Sequence, residues 1–158
     1  MLAGVCAVFL IAMCVILAVS SREPEPLPFS PPEFDSAAVD GVPSVPDELG
    51  WNEIYKDGMS FRSSVCGVIR ISDNRAKIYF TNYEENTLWL KIRVLDSKGN
   101  VLGETGLIKP GQYLPEITFD KLPKNGEKIM MRLMSYVPET YHSGGAVSLS
   151  TVAILEGK

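Results

Sequence analysis

The chain has 158 residues, carries a formal net charge of −4 and is 22% charged. This acidic balance excludes the broad basic surface by which nucleic-acid-binding domains attract phosphates, so no nucleic-acid partner is expected. The length allows one domain of ordinary size in addition to the segments at the N-terminus.

The first twenty residues contain no charged side chain. A helix of that length would span about 30 Å, the thickness of the hydrocarbon core of a bilayer. We therefore predict that residues 1–20 form an uncleaved transmembrane anchor. A secretory signal peptide is the alternative, with a small-residue cleavage site at 18–20, but its apolar region would usually be shorter and preceded by basic residues.

Residues 21–50 are rich in proline and in acidic side chains. Seven of the eleven prolines and seven of the nineteen acidic residues lie here, beside the single Arg22. Proline fixes φ and lacks an N–H donor, so we expect a disordered, extended linker. An acidic linker before a folded body favours a C-terminal domain outside the cytoplasm, although Arg22 alone argues weakly for the opposite orientation.

Residues 51–158 are nearly neutral, with fourteen basic and twelve acidic groups, and are predicted to form one packed domain. Apolar and polar residues alternate in TLWLKIRVL (87–95) and RAKIYFTN (75–82), which is the pattern of a strand with one buried face. The same spacing recurs within 128–137 and 145–155. The domain is therefore predicted to be built from β-strands.

Turn sequences separate these strands, namely SDNR (72–75), DSKGN (96–100) and PKNGE (123–127). KPGQ (109–112) suits a type II turn, and Pro115 in the strand that follows indicates an edge position or a bulge. About seven short strands at this spacing predict an all-β fold, specifically an antiparallel β-sandwich of the immunoglobulin-like kind. A small barrel is the alternative.

Three turn motifs mark residues 75–155. They are a corner at Asn82 and Asn86, a hairpin at Asp96 and Gly99, and an Ile-x-Pro-Gly turn at Ile108, Pro110 and Gly111. In these motifs the segment resembles a group of small, uncharacterised Firmicutes proteins with an N-terminal membrane segment, a Pro/acid-rich linker and one immunoglobulin-like β-sandwich. It departs from them at Tyr83, where they have proline, and at 127–129. The resemblance implies a membrane-tethered, envelope-exposed domain and brings no catalytic residues.

No catalytic or metal-binding signature is present. The single histidine, His142, adjoins Ser143, but neighbours on an extended chain point to opposite faces. Cys66 has apolar neighbours and is expected to be a buried, inert thiol. Glu84 and Glu85 lie at a corner that suits a hydrogen-bonded turn better than a calcium site. We expect a non-enzymatic protein with no catalytic residues, no metal ion and no cofactor.

Four residues are predicted to form a binding surface. Trp89, Lys91 and Arg93 alternate along the outward face of one strand, and Tyr79 is expected on the same sheet face. Aromatic and arginine side chains presented together are typical of binding surfaces, and aromatic rings also stack on sugars. The alternative is that residues 51–61 cover Trp89.

These expectations describe a single-pass membrane protein of a Gram-positive bacterium, held in the membrane by residues 1–20. Its non-catalytic β-sandwich would lie outside the cytoplasm and bind or build part of the cell envelope, with an envelope protein or a cell-wall polymer as partner. If the N-terminal segment were cleaved, the domain would be secreted. One alternative is an accessory subunit of a surface, secretion or conjugation assembly that pairs edge strands. A less favoured one is a cell-envelope hydrolase that uses Asp or Glu residues.

Overall fold

The structure is a computed structural model that describes residues 29–55 and 58–157. One compact unit begins at Pro31 and contains every element described below. The predicted anchor, residues 1–20, lies outside the described residues, as does the first part of the predicted linker. Within the described residues, no helix is long and apolar enough to cross a membrane.

Strands make up nearly all the regular structure of the described residues, with one turn of 3-10 helix at Asp47–Leu49. The strands are β1 (Val39–Asp40), β2 (Trp51–Ile54), β3 (Ser63–Cys66), β4 (Ile69–Ser72), β5 (Arg75–Asn82), β6 (Trp89–Leu95), β7 (Val101–Glu104), β8 (Gln112–Thr118), β9 (Lys128–Tyr136) and β10 (Ser143–Leu155).

These strands form one curled, mixed sheet that folds into two layers, which we call sheet 1 and sheet 2. In sheet 1 the order is β1-β8-β5, and both β4 and the pair β3-β2 lie on the far side of β5. In sheet 2 the order is β10-β9-β6-β7. The long strand β10 connects the layers, because residues 143–152 pair antiparallel with β9 and residues 153–155 pair parallel with β4.

The core lies between the two layers and is filled by alternate residues of each strand. Sheet 1 contributes Ala76, Ile78 and Phe80 of β5 to this core. Sheet 2 contributes residues of β6 and β9, including Ile92 and Leu133. The period-two pattern therefore identifies the buried faces correctly, and the all-β prediction is confirmed.

The prediction of about seven antiparallel strands is wrong in number and in one pairing. The residues before the SDNR turn form two strands, β3 and β4, which are separated by a break at Gly67 and Val68. The two-residue strand β1 comes from the predicted linker. The parallel pair arises because β10 has thirteen residues and continues past β9 into the other layer.

The predicted linker, residues 21–50, also extends too far into the folded unit. Phe34 bridges Leu107 in parallel, and the Asp35 N–H donates to the Leu107 carbonyl at 2.9 Å. The Asp35 carboxylate accepts a hydrogen bond from the Gly106 N–H at 2.9 Å. Proline excludes a long ladder but allows short edge pairings, so a proline-rich composition is compatible with this attachment.

The Pro-Gly turn between β7 and β8 has the predicted form. Gly111 has φ of +79°, and the Gln112 N–H donates to the Lys109 carbonyl at 3.2 Å. These are the glycine conformation and the hydrogen bond of a type II turn. The turn holds no ionisable group other than Lys109 and acts as a corner of the scaffold.

Pro115 coincides with the bulge that the sequence indicates. The β5–β8 register shifts between Lys77 and Phe80, so that Ile78 and Tyr79 lie opposite Pro115 alone. Proline has no N–H to donate at this point of the ladder. The Tyr79 carbonyl accepts instead from the Trp51 indole nitrogen at 2.9 Å, which ties β2 to the bulge.

Candidate binding surface on sheet 2

Strand β6 places Trp89, Lys91 and Arg93 on one face, as predicted from their alternation. Leu90 and Ile92 between them are fully buried in the core. The three side chains therefore belong to the outer face of sheet 2. Lys91 is nevertheless only 7% exposed.

Tyr79 lies elsewhere, which corrects the expectation that it shares a sheet face with Trp89. It belongs to β5 in sheet 1 and occupies the bulge opposite Pro115, with φ of +43°. The chain passes from sheet 1 to sheet 2 between Asn82 and Trp89, so β5 and β6 lie in different layers. The alternating pattern identifies strands but does not identify the layer that each strand joins.

Two rings cover Trp89 and leave it half-buried. The Phe34 ring centroid lies 4.8 Å from that of Trp89 and the Tyr141 centroid 5.3 Å, both in edge-to-face geometry. The Lys109 ammonium lies 4.8 Å from the Phe34 centroid. In this aromatic cluster of Phe34, Trp89 and Tyr141, the tryptophan therefore fastens residues 33–35 to sheet 2. The expected cover was residues 51–61, whose Phe61 is buried in the core instead.

Glu104 on β7 binds both cations of β6. Its carboxylate accepts from Lys91 Nζ at 2.9 Å and from Arg93 Nε at 2.7 Å. Partial burial by itself would raise the pKa of Glu104, but the two hydrogen bonds and the adjacent charges hold that pKa below its ordinary value. Glu104 is therefore ionised at neutral pH and holds Lys91 and Arg93 in place.

A second arginine lies directly across the sheet from the first. In register, Arg93 on β6 pairs with Arg132 on β9, which pairs in turn with Ser148 on β10. Arg132 is exposed, and no other described residue forms an ion pair or side-chain hydrogen bond with it. We call Glu104, Arg93, Arg132 and Ser148 the cationic row. Opposed like charges destabilise a strand pair, and among the described residues the Glu104 carboxylate offsets this repulsion at Arg93 but not at Arg132.

Reasoning from sequence did not identify Arg132. The alternation in β9 predicts that its side chain points outward, but only the pairing with β6 shows that it faces Arg93. The signal in the sequence is one outward arginine on each of two strands. Two such residues become a site only when the register of the strands is known.

Cys66 and the asparagine corner have the structural roles predicted for them. Cys66 is fully buried, and desolvation raises the pKa of its thiol to about 11, so little nucleophilic thiolate forms at neutral pH. Asn82 Nδ2 donates to the carbonyls of Leu88 and Ile108, and Asn86 Nδ2 donates to Asn82 Oδ1 at 2.6 Å. The corner is therefore a hydrogen-bonded turn.

The remaining ionisable candidates lie apart. His142 is exposed, and its carbonyl accepts from the Val137 N–H, while Ser143 Oγ accepts from the Gly145 N–H. Glu85 approaches Arg62 at 3.9 Å. Across residues 29–55 and 58–157, no three His, Cys, Asp or Glu side chains gather where they could hold a metal ion.

Fold and surface together define a sandwich-like, all-β domain with an aromatic cluster and a cationic row on one outer face. No protein-family model matches the chain, and no curated protein matches it in sequence. Among solved structures, CopC from Methylosinus trichosporium OB3b is similar over 58% of this chain and 88% of that chain, with 12% sequence identity and a TM-score of 0.36. A likeness this distant carries no argument about ligand or activity.

Proposed function

We propose that the protein is a membrane-anchored, extracytoplasmic module of a Gram-positive bacterium. Its immunoglobulin-like β-sandwich, which is non-catalytic, binds an anionic component of the cell envelope through the outer face of sheet 2. The uncharged segment 1–20 and the acidic, proline-rich residues after it support the anchoring and the orientation. The observation that carries the binding role is the direct pairing of Arg93 with Arg132.

The cationic row, together with Lys91 beside it, has more positive than negative charge. Lys91 and Arg93 share the single carboxylate of Glu104, and Arg132 has no anionic partner among the described residues. A phosphate or carboxylate placed between the two guanidinium groups would remove their repulsion and accept charge-assisted hydrogen bonds from both. The exposed Ser148 hydroxyl, next in register to Arg132, adds a further donor.

A polymer with repeated anionic groups suits this surface better than a globular protein. Protein interfaces depend on aromatic anchors that bury themselves in the partner. Here Trp89 is already engaged by Phe34 and Tyr141, which leaves charged and hydroxyl groups as the accessible contacts. We therefore propose an anionic cell-wall polymer as the ligand.

Substitution of Arg132 tests this proposal. Binding of the full chain, in detergent, is measured against purified Gram-positive cell walls and against the same walls stripped of phosphate polymers. Loss of one charge-assisted contact predicts binding about tenfold weaker for Arg132→Gln. The matched control is Arg75→Gln on sheet 1, which removes the same charge from an exposed arginine paired with Glu116 at 3.7 Å. Equal losses in both variants would reduce the effect to net charge and contradict a site at the row.

Reversal of the charge separates binding from stability. Arg132→Glu would offer Arg93 an opposite charge across the strand pair, so we expect thermal stability to stay equal or rise by about 0.2–1 kcal/mol while wall binding is lost. A less stable Arg132→Glu variant would show that the arginine pair carries no cost. If the protein binds stripped walls as well as intact walls, an anionic polymer is the wrong ligand. Acidic proteins of the envelope would then be the partner.

A further inference from the structure

One long edge of β10 has no strand beside it in the described part of the chain. Residues 143–152 pair with β9, and on the opposite edge only residues 153–155 pair, with β4. The Ala153 N–H donates to the Glu127 carbonyl at 2.9 Å, on the β9 side. Because backbone groups alternate between the two edges of a strand, the N–H and C=O groups of Ser148 and Ser150 point away from β9.

This edge lacks the features that usually prevent strand addition. The thirteen residues of β10, SGGAVSLSTVAIL, include no charged residue and no proline. Other strands at sheet margins are protected, since β2 carries Glu53, β7 carries Glu104 and β1 has only two residues. Natural proteins protect exposed edges with charged residues, prolines or very short strands. Because β10 has none of these features, its edge is available to pair with another strand.

A cleft lies beside this edge, between β10 and β2. Its volume is about 360 Å³. Ile54, Val65, Met131 and Leu149 supply its apolar lining. The single charged residue of the lining is Glu53, whose carboxylate is neutralised by Arg62 at 2.8 Å.

We propose that this cleft binds an extended, uncharged segment of a partner polypeptide, which adds to β10 as a new strand. The outward backbone groups of Ser148 and Ser150 supply the hydrogen bonds, and alternate apolar side chains of the segment enter the cleft. A neutral lining matches an uncharged segment. The cleft is bordered by β2 and by Gly67, whose carbonyl accepts from Thr151 Oγ1 at 2.6 Å, so the added strand would lie along the part of β10 that precedes Thr151. The inference uses the backbone groups of Ser148 and Ser150, whereas the anionic ligand proposed for Arg132 would use the Ser148 hydroxyl, so the two proposals depend on different groups.

The test uses a defined, uncharged probe, the peptide Gln-Thr-Val-Thr-Val-Thr-Val-Gln with blocked ends, added to the full chain in detergent. Hydrogen exchange measured by mass spectrometry should slow in residues 145–152 in a saturable manner and stay unchanged in β7. Each of two control probes carries one N-methyl group, at the central valine or at the threonine before it, because only one of these adjacent N–H groups can face β10. We expect one control to bind at least tenfold more weakly than the unmodified probe, whereas equal binding of both would overturn strand addition.

Ser150→Pro tests the same edge from the protein side. Proline at 150 removes an N–H that points away from β9, so the β9 ladder and the unfolding midpoint should be retained. Binding of the probe should fall at least tenfold, and the matched control Ser150→Ala, which keeps the N–H, should bind normally. If the full chain instead dimerises and Ser150→Pro makes it monomeric, a second copy is the occupant and the proposed partner is wrong. The N-methyl comparison decides the question even if Ser150→Pro fails to fold.

Discussion

Glu104 shows how a single carboxylate organises the outer face of sheet 2. Lys91 is only 7% exposed, and a buried ammonium group needs an anion within hydrogen-bonding distance. Glu104 provides it at 2.9 Å and holds Arg93 at the same time. The pKa of Glu104 is lowered in the folded state, so its contribution to stability is present above its ordinary value of 4.5 and is lost as pH falls through the lowered value.

Replacement of this carboxylate should therefore act mainly at neutral pH. We expect Glu104→Gln to destabilise the domain by about 1–3 kcal/mol at pH 7, because Lys91 stays buried without its anion. The difference from the natural protein should shrink as the pH falls below 4.5 and through the lowered pKa of Glu104. Urea unfolding at pH 7 and at a series of lower pH values measures this. Glu116→Gln, which breaks an exposed pair, is the control and should change stability by less than about 1 kcal/mol. A difference that does not depend on pH would contradict the role assigned to Glu104.

At the scale of elements, the segment around Asp35 depends on close backbone approach at Gly106. A Cβ atom added to Gly106 would lie 2.5 Å from the Asp35 backbone nitrogen and 2.7 Å from its Cα. Only glycine therefore allows residues 33–35 to bridge Leu107 and to bring Phe34 onto Trp89. This explains how a proline-rich segment becomes part of the folded unit.

Gly106→Ala should release this segment. We expect faster amide exchange at Asp35 and Leu107 and a loss of about 1–3 kcal/mol in stability, as is usual when an added methyl group forces the backbone apart. Gly157→Ala is the matched control, since a Cβ at that position meets no atom within 4 Å. Unchanged exchange at Asp35 in Gly106→Ala would show that the contact does not hold the segment.

At the scale of the whole molecule, the proposed function depends on the anchor. A basic residue at the centre of a transmembrane helix costs about 2.5–3.5 kcal/mol, so Leu10→Arg should shift a large fraction of the protein out of the membrane fraction of a Gram-positive host. The natural chain should stay membrane-bound at full mass, with residues 51–158 open to protease added to intact cells. A shortened, released chain would indicate a cleaved signal peptide, and protection from protease would reverse the orientation.

The sequence alone determined the features that depend on neighbours along the chain. Period-two alternation identifies the strands and their buried faces, and the turn at Gly111 follows from local backbone chemistry. The burial of Cys66 follows from its apolar neighbours, and the bulge at Pro115 from the missing N–H. Each of these requires knowledge of only a few adjacent residues.

Only the tertiary structure decided what depends on partners far apart in the chain. Tyr79 joins the layer opposite Trp89, and Phe34, from a segment predicted to be a linker, covers Trp89. The pairing of Arg93 with Arg132 depends on a register between strands almost forty residues apart. The physical reason is that strand pairing uses backbone groups common to all residues, so the choice of partner and register is made by packing of the whole core.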